Sequence, residues 1–207
     1  MYQRLNNNLH KYTPDCVGIY QFPIIRHVES ISLLQAIPFN YVLSSKEFGF
    51  GVHFFIDDYQ FERLWTYPER YIEILKKYQY VLSPDFSLYT NMPKAMQIWN
   101  RYRSQWIGSY LQHHGVCVIP TISWSDESSF EWVFDGVEKN SIVAVSSVGC
   151  LKTSQDKISF IKGYNTMIET IKPKLVLFYG RAPEGIIKTQ IYEIESYQTK
   201  FTKAEDH

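Results

Sequence analysis

Charge in excess is the first thing this sequence lacks. It has 21 Lys and Arg against 21 Asp and Glu, a formal net charge of +0 at pH 7. A surface that tracks phosphates needs a large surplus of cations, so nucleic acid is not an expected partner. Glycine and proline are sparse, 10 and 9 in 207 residues, which excludes a linker-like or collagen-like chain. The three cysteines, Cys16, Cys117 and Cys150, contain no pair at metal-ligand spacing. Neither a disulfide framework nor a zinc knuckle is supported, and no metal is expected. No apolar run approaches ~18 residues, so no membrane span is expected. Residues 1–13 are polar and rich in Asn. They lack the apolar stretch of a secretion signal, which points to a cytoplasmic protein. The phosphate loops GxGxxG and GxxxxGK[ST], the GxSxG elbow and the HExxH zinc motif are also missing. No nucleotide cofactor, serine nucleophile or zinc hydrolase chemistry is therefore expected.

What the chain has instead is rings: 16 Tyr, 13 Phe and 5 Trp. Aromatic side chains bury large areas with few rotatable bonds, so they suit both a core and a ligand-facing wall. Apolar and charged fractions of 45% and 20% are those of a globular chain, and the length suits about one domain.

Short apolar runs recur along the chain. Val17–Phe22 reads as a short strand, and Ser30–Ile37 as one or two helical turns stopped before Pro38. Asn40–Ser44, Gly51–Ile56, Tyr80–Ser83, Val116–Ile119, Ser141–Val145 and Leu175–Phe178 read as strands. Pro68–Tyr78 and Ser128–Phe134 read as short helices. Pro93–His113 is a long one, with Asn91 as its cap and Gly115 past its end. Gln155–Ile171 reads as a helix behind Thr153, with Asp156 three residues on as in a capping box. Gly185–Ile194 fits an edge strand or a helix. The later strands end near residues 57, 84, 120, 146 and 179, spaced by roughly 26 to 36 residues, the length of a strand, loop and covering helix. They are near-continuous Val, Ile, Leu and Phe, as in strands buried on both faces. The expected fold is α/β, a mostly parallel sheet of five to six β/α units forming an open sheet or incomplete barrel. The organisation read is an irregular lead-in over residues 1–39, a single α/β domain over 40–198, and a frayed charged tail over 199–207.

Parallel β/α folds collect ligands at the carboxyl ends of their strands. The rim this nominates is Asp57, Asp85, Ser87, Thr121, Trp124, Ser147, Tyr179 and Arg181. Asp57 and Asp85 suit an acid–base pair, a hard cation or a basic partner, whereas Asp58 reads as a turn residue. Trp124 is the candidate stacking wall. Cys150 follows a strand but has no histidine placed to activate it. His113 and His114 suit a helix C-terminus better than a metal. Arg101 and Arg103, with Lys94 before them, read as a solvated helix face.

The segments SPDFS (Ser83–Ser87), IPTISW (Ile119–Trp124), SVGC ending at Cys150 and LVLFYG (Leu175–Gly180), in that order, resemble the phage and mobile-element proteins of domain-of-unknown-function family 4417. The resemblance covers about two thirds of the chain, from roughly Phe50 onward. It implies a gene carried by a bacteriophage, prophage or plasmid of low-GC bacteria, acting in the host cytoplasm, and carries no catalytic residues with it. Combined with the neutral charge, the rings and the missing catalytic motifs, it leads to the expectation of a protein that binds a host replication or defence protein. The alternative is an enzyme or small-ligand-binding protein that uses the rim.

Overall fold

A computed structural model describes residues 7–32 and 34–194. The apolar runs form nine strands among the described residues. β1 (Cys16–Val17) and β2 (Phe22–Pro23) make a small antiparallel hairpin. β3 (Ala36–Pro38), β4 (Gly51–His53), β5 (Tyr80–Leu82) and β6 (Val118–Ile119) pair in sequence, all parallel. β7 (Ile142–Ser146), β8 (Leu175–Tyr179) and β9 (Ile191–Ile194) pair likewise, all parallel. A parallel bridge from Thr121 to Ala144 joins the two sets, so seven strands succeed one another in chain order.

The sheet is rolled but not closed. In a flat sheet, β4 and β8 lie four strand spacings of ~4.8 Å apart, about 19 Å. Instead the rings of His53 and Tyr179, at the ends of these two strands, are 4.5 Å apart, and Phe55 stacks on Tyr179 at 4.9 Å. The edge strands β3 and β9 share no ladder. Strand alternation divides the side chains between two cores. Ile142, Ala144, Leu177 and Tyr179 join the core of the roll, with Leu82 and Val118. Their neighbours Val143, Val145, Val176 and Phe178 pack beneath the last helix, against Phe160, Tyr164, Met167 and Ile171.

Four α-helices cover the strands: α1 (Glu62–Thr66), α2 (Ile72–Leu75), α3 (Lys94–His113) and α4 (Ser154–Ile171). α4 starts with the expected capping box. The Asp156 N–H donates to Thr153 Oγ1 at 3.1 Å, and the Thr153 N–H donates to Asp156 Oδ2 at 3.0 Å. It ends at Lys172, with φ of 52°, just before Pro173. α3 starts one residue after Pro93, and Asn91 does not cap it; the Gln97 amide instead donates to the carbonyls of Met92 and Tyr89.

Several short runs differ from their sequence reading, because a run of three to six apolar residues has too little periodicity to separate strand from turn. Val17–Phe22 is not one strand: Val17 ends β1, residues 18–21 turn, and Phe22 begins β2. The described residues of Ser30–Ile37 are not helical: they run into β3, which enters the parallel sheet ahead of residue 39. Asn40–Ser44 is not a strand either: it lies in a 3-10 helix (Phe39–Tyr41) and the turn at residues 42–44. Within Gly185–Ile194 the last four residues, Ile191–Ile194, form edge strand β9. The tail read at 199–207 lies outside the described residues.

Candidate functional site

The carboxyl ends of β3 to β8 open into one cavity of about 740 Å³. Of the nominated rim, Asp57, Asp85, Ser87, Trp124 and Tyr179 line it. Thr121, Ser147 and Arg181 do not. Thr121 is buried and committed to the backbone: its N–H donates to Ser83 Oγ at 2.9 Å and its hydroxyl to the Ser83 carbonyl at 2.6 Å. Ser147 donates to the Arg181 carbonyl at 3.0 Å, so these two residues tie the β7 and β8 loops to each other. A position just after a strand can turn into the sheet as readily as into the mouth, and the linear sequence does not say which.

The segment Ser83–Ser87 is held from below by α3. Ser104 donates to the Pro84 carbonyl at 2.5 Å and Asn100 to the Ser87 carbonyl at 2.8 Å. The Arg103 guanidinium lies 3.8 Å over the Phe86 ring and pairs with Glu62 at 2.7 Å. From the side, Asp58 accepts from the Ser87 N–H at 3.1 Å and its hydroxyl at 3.0 Å. Asp58 thus joins the β4 and β5 loops, beyond the turn role expected of it. These clamps fix the backbone on both sides of Asp85.

Asp85 is where the chemistry gathers. Its Oδ1 is shielded from solvent and has no hydrogen-bond donor among the described residues. Burial pushes its carboxyl up to about 6. The Ser123 hydroxyl opposes the rise, the Asp58 charge adds to it, and Arg101 opposes it. Ionised acids in dry surroundings are disfavoured, and a carboxyl near 6 exchanges protons close to neutral pH.

Arg101 and Arg103 correct the reading of a solvated face. Arg101 is 2% exposed and donates from Nη1 to the Thr121 carbonyl at 3.0 Å. Its Nε and Nη2 have no partner among the described residues. Burial lowers it to about 10 against the pull of Asp135 and Asp85. The RYR segment has no local pattern that marks a buried charge, so its burial is invisible in the chain alone. His53 is the other residue that went unread, being one histidine within an apolar strand. It lines the mouth, is 1% exposed, and accepts the Phe55 N–H at Nδ1 at 3.2 Å. Burial lowers it to about 3, so it is a neutral imidazole with its proton on Nε2.

Trp124 packs over α4, 5.2 Å from the Phe160 ring, where Gly163 makes room: a Cβ there would lie 2.2 Å from Trp124 Nε1. Cys150 lines the mouth with its thiol pushed up to about 11, by desolvation first and then by the charges of Asp85 and Asp156. At that value the thiol stays protonated and is a poor nucleophile.

A rolled parallel sheet with a ligand-sized mouth and one poised carboxyl is the class of molecule these features define. Across residues 14–198 the chain matches the family model described as domain of unknown function (DUF4417), and it belongs to that family. The match starts well ahead of Phe50, so it takes in most of the lead-in that the sequence resemblance left out. The chain is 41% identical over 174 residues to the Gene 1 protein of Mycobacterium phage L5, covering 83% of this chain and 76% of that protein. It is 41% identical over 133 residues to the Gene 1 protein of Mycobacterium phage D29, covering 64% of this chain and 49% of that one. The alignment thus spans about half the length of the D29 protein. These kinships support a phage origin. No solved structure matches the chain. No helix among the described residues is long and apolar enough to cross a membrane.

Proposed function

We propose that the strand-end mouth binds a small organic ligand and that Asp85 acts there as an acid–base group. One observation carries this reading: Asp85 Oδ1 is out of solvent, without a donor among the described residues, at the wall of a cavity of about 740 Å³. A buried acceptor left unmatched costs about 1–3 kcal/mol. Here that cost falls on a carboxyl whose flanking backbone is clamped by Ser104, Asn100 and Asp58, an arrangement suited to a donor that arrives with a ligand. The cavity volume is in the range of small-molecule sites, ~300–1,000 Å³. Native mass spectrometry of protein purified from the phage-infected host tests the reading. A retained small molecule that is lost in Asp85→Asn supports it. A mouth that retains nothing, with Trp124 fluorescence unmoved by host small-molecule extract, counts against it.

A second reading keeps the host protein as partner. Its support is the tip of the β1–β2 hairpin, where Val17, Ile19 and Tyr20 are 44%, 84% and 36% exposed. Contiguous exposed apolar residues of this kind are typical of interface anchors. Affinity purification from host cytoplasm with Ile19→Asp as comparison tests it. A host protein captured by the wild type and lost in the variant supports it, and equal capture by both sinks it.

A further inference from the structure

We propose that the ligand of the mouth is an uncharged nucleoside, with its base against the aromatic wall, its hydroxyls toward the carboxylates, and no phosphate. This rests on the reading of the mouth as a ligand site and adds the class of ligand.

The lining has two characters. Phe55 and Trp124 line the mouth half-buried, and the buried Tyr179 stacks behind Phe55 at 4.9 Å with planes 28° apart. Rings of this kind receive flat heterocycles, and each stacked base is worth roughly 1–3 kcal/mol. The lining also carries polar groups: Asp57 and Asp85 accept, and the amides of Asn40 and Gln60 both accept and donate. A nucleoside has the same two halves, one flat and aromatic and one bearing hydroxyl donors. A free sugar lacks the first and a plain aromatic lacks the second.

Charge removes the phosphate. Among the described residues, two carboxylates line the mouth against one cation, Lys152. The arginines of α3 do not border it, and His53 is neutral. α4 starts two residues after Lys152 of the lining, but its amino terminus is closed by its own acid. Asp156 accepts the Thr153 N–H in the capping box, so the site that an incoming anion would use already holds a carboxylate. Asp85 Oδ1 asks for a donor, which a base N–H or ribose O–H supplies and a phosphate does not.

Isothermal titration tests this with the four ribonucleosides, thymidine, their 5′-monophosphates and ribose. At least one nucleoside should bind ten-fold or more tighter than its monophosphate and than ribose. Asp85→Asn should weaken it ten-fold or more without lowering the unfolding midpoint. Trp124→Leu should weaken it too and serves if Asp85→Asn does not fold. Glu138→Gln, at the other end of the roll, should bind as wild type. A monophosphate that binds as tightly as its nucleoside, or unchanged binding in both mouth variants, overturns the proposal. If no nucleoside binds, the nucleoside assignment fails. Native mass spectrometry then separates the two readings, because a different retained molecule leaves the ligand site standing and an empty mouth removes it as well.

Discussion

The two ends of the strand roll carry ionisable groups under opposite conditions. At the amino-terminal end, where chain enters β7 and β8, Arg26 pairs with Asp15 at 2.7 Å and with Glu138 at 2.9 Å. His27 bridges Glu138 and Glu29 at 3.0 and 2.8 Å, and Lys174 reaches Glu29 at 3.2 Å. All but the half-buried Glu138 are well exposed, and each carboxylate faces an arginine, lysine or imidazole partner. At the carboxyl end Arg101, His53 and the Oδ1 atom of Asp85 are out of water, and polar atoms of Asp85 and Arg101 are left unmatched among the described residues. Exposed pairs are cheap to make and cheap to lose, whereas buried unmatched groups are costly and persist where something else requires them. The contrast puts matched charges at one end and unmatched ones at the other.

The largest effect is expected at Arg101. Arg101→Ala removes the donor to the Thr121 carbonyl, opens a cavity, and strips the nearby positive charge from Asp85 and Asp135. A loss of about 2–5 kcal/mol is expected in urea unfolding, from the cavity and the lost hydrogen bond. A loss under about 1 kcal/mol would place it with the exposed pairs and erase the contrast.

Asp85→Asn should do the reverse. An acid whose carboxyl is raised by folding weakens the fold once it ionises. That penalty is absent below the ordinary 3.8, grows as pH rises through about 6, and is full at pH 7. The variant should be about 1–3 kcal/mol more stable than wild type at pH 7, and this advantage should vanish by about pH 4. His53 has the opposite sign. A base lowered from 6.5 to about 3 gives stability that is complete above 6.5 and drains away as pH falls toward 3. Over pH 6 to 4 the two groups offset each other in the wild type. Asp85→Asn should expose the His53 contribution as a steeper acid loss, measurable as unfolding midpoint against pH. Parallel profiles for the two proteins would refute the assignment to Asp85.

Gly163→Ala tests the wall. Its Cβ would meet the Trp124 indole, and the ring must move for the helix to keep its place. About 1–3 kcal/mol of stability should go, together with a shift in Trp fluorescence and weaker binding at the mouth. Unchanged fluorescence would mean that the helix gives way and the wall does not.

The smallest effect belongs to the amino-terminal end. Glu138→Gln should cost at most about 1 kcal/mol, less at high salt, with no effect on the mouth. A larger loss would show that the exposed network holds the roll together.

Much of the fold was legible because it is written in local terms. Val143 and its neighbours in β7 and β8 are apolar on both faces, which only a strand covered on both sides requires. Thr153 and Asp156 start α4 within four residues of chain. β3 was not legible: Ala36–Pro38 is three residues long and is a strand only because β4 lies beside it. In the site, Asp57, Asp85, Ser87, Trp124 and Tyr179 came from one rule about strand ends. Thr121 and Ser147 obeyed the same rule and turned inward, since backbone groups there needed partners. His53 and Arg101 were missed because each depends on what covers it, and no spacing in the chain encodes that.

The sequence by itself determined that strands would be oily, evenly spaced and parallel, with polar residues gathered after their ends, because strand periodicity and helix capping act over a few residues. Only the tertiary structure decided that the sheet rolls until β8 meets β4, that an arginine of α3 lies buried within reach of the Asp85 charge, and that five of the eight nominated residues share one cavity. Those outcomes turn on desolvation and on contacts between segments far apart in the chain, which have no local signature.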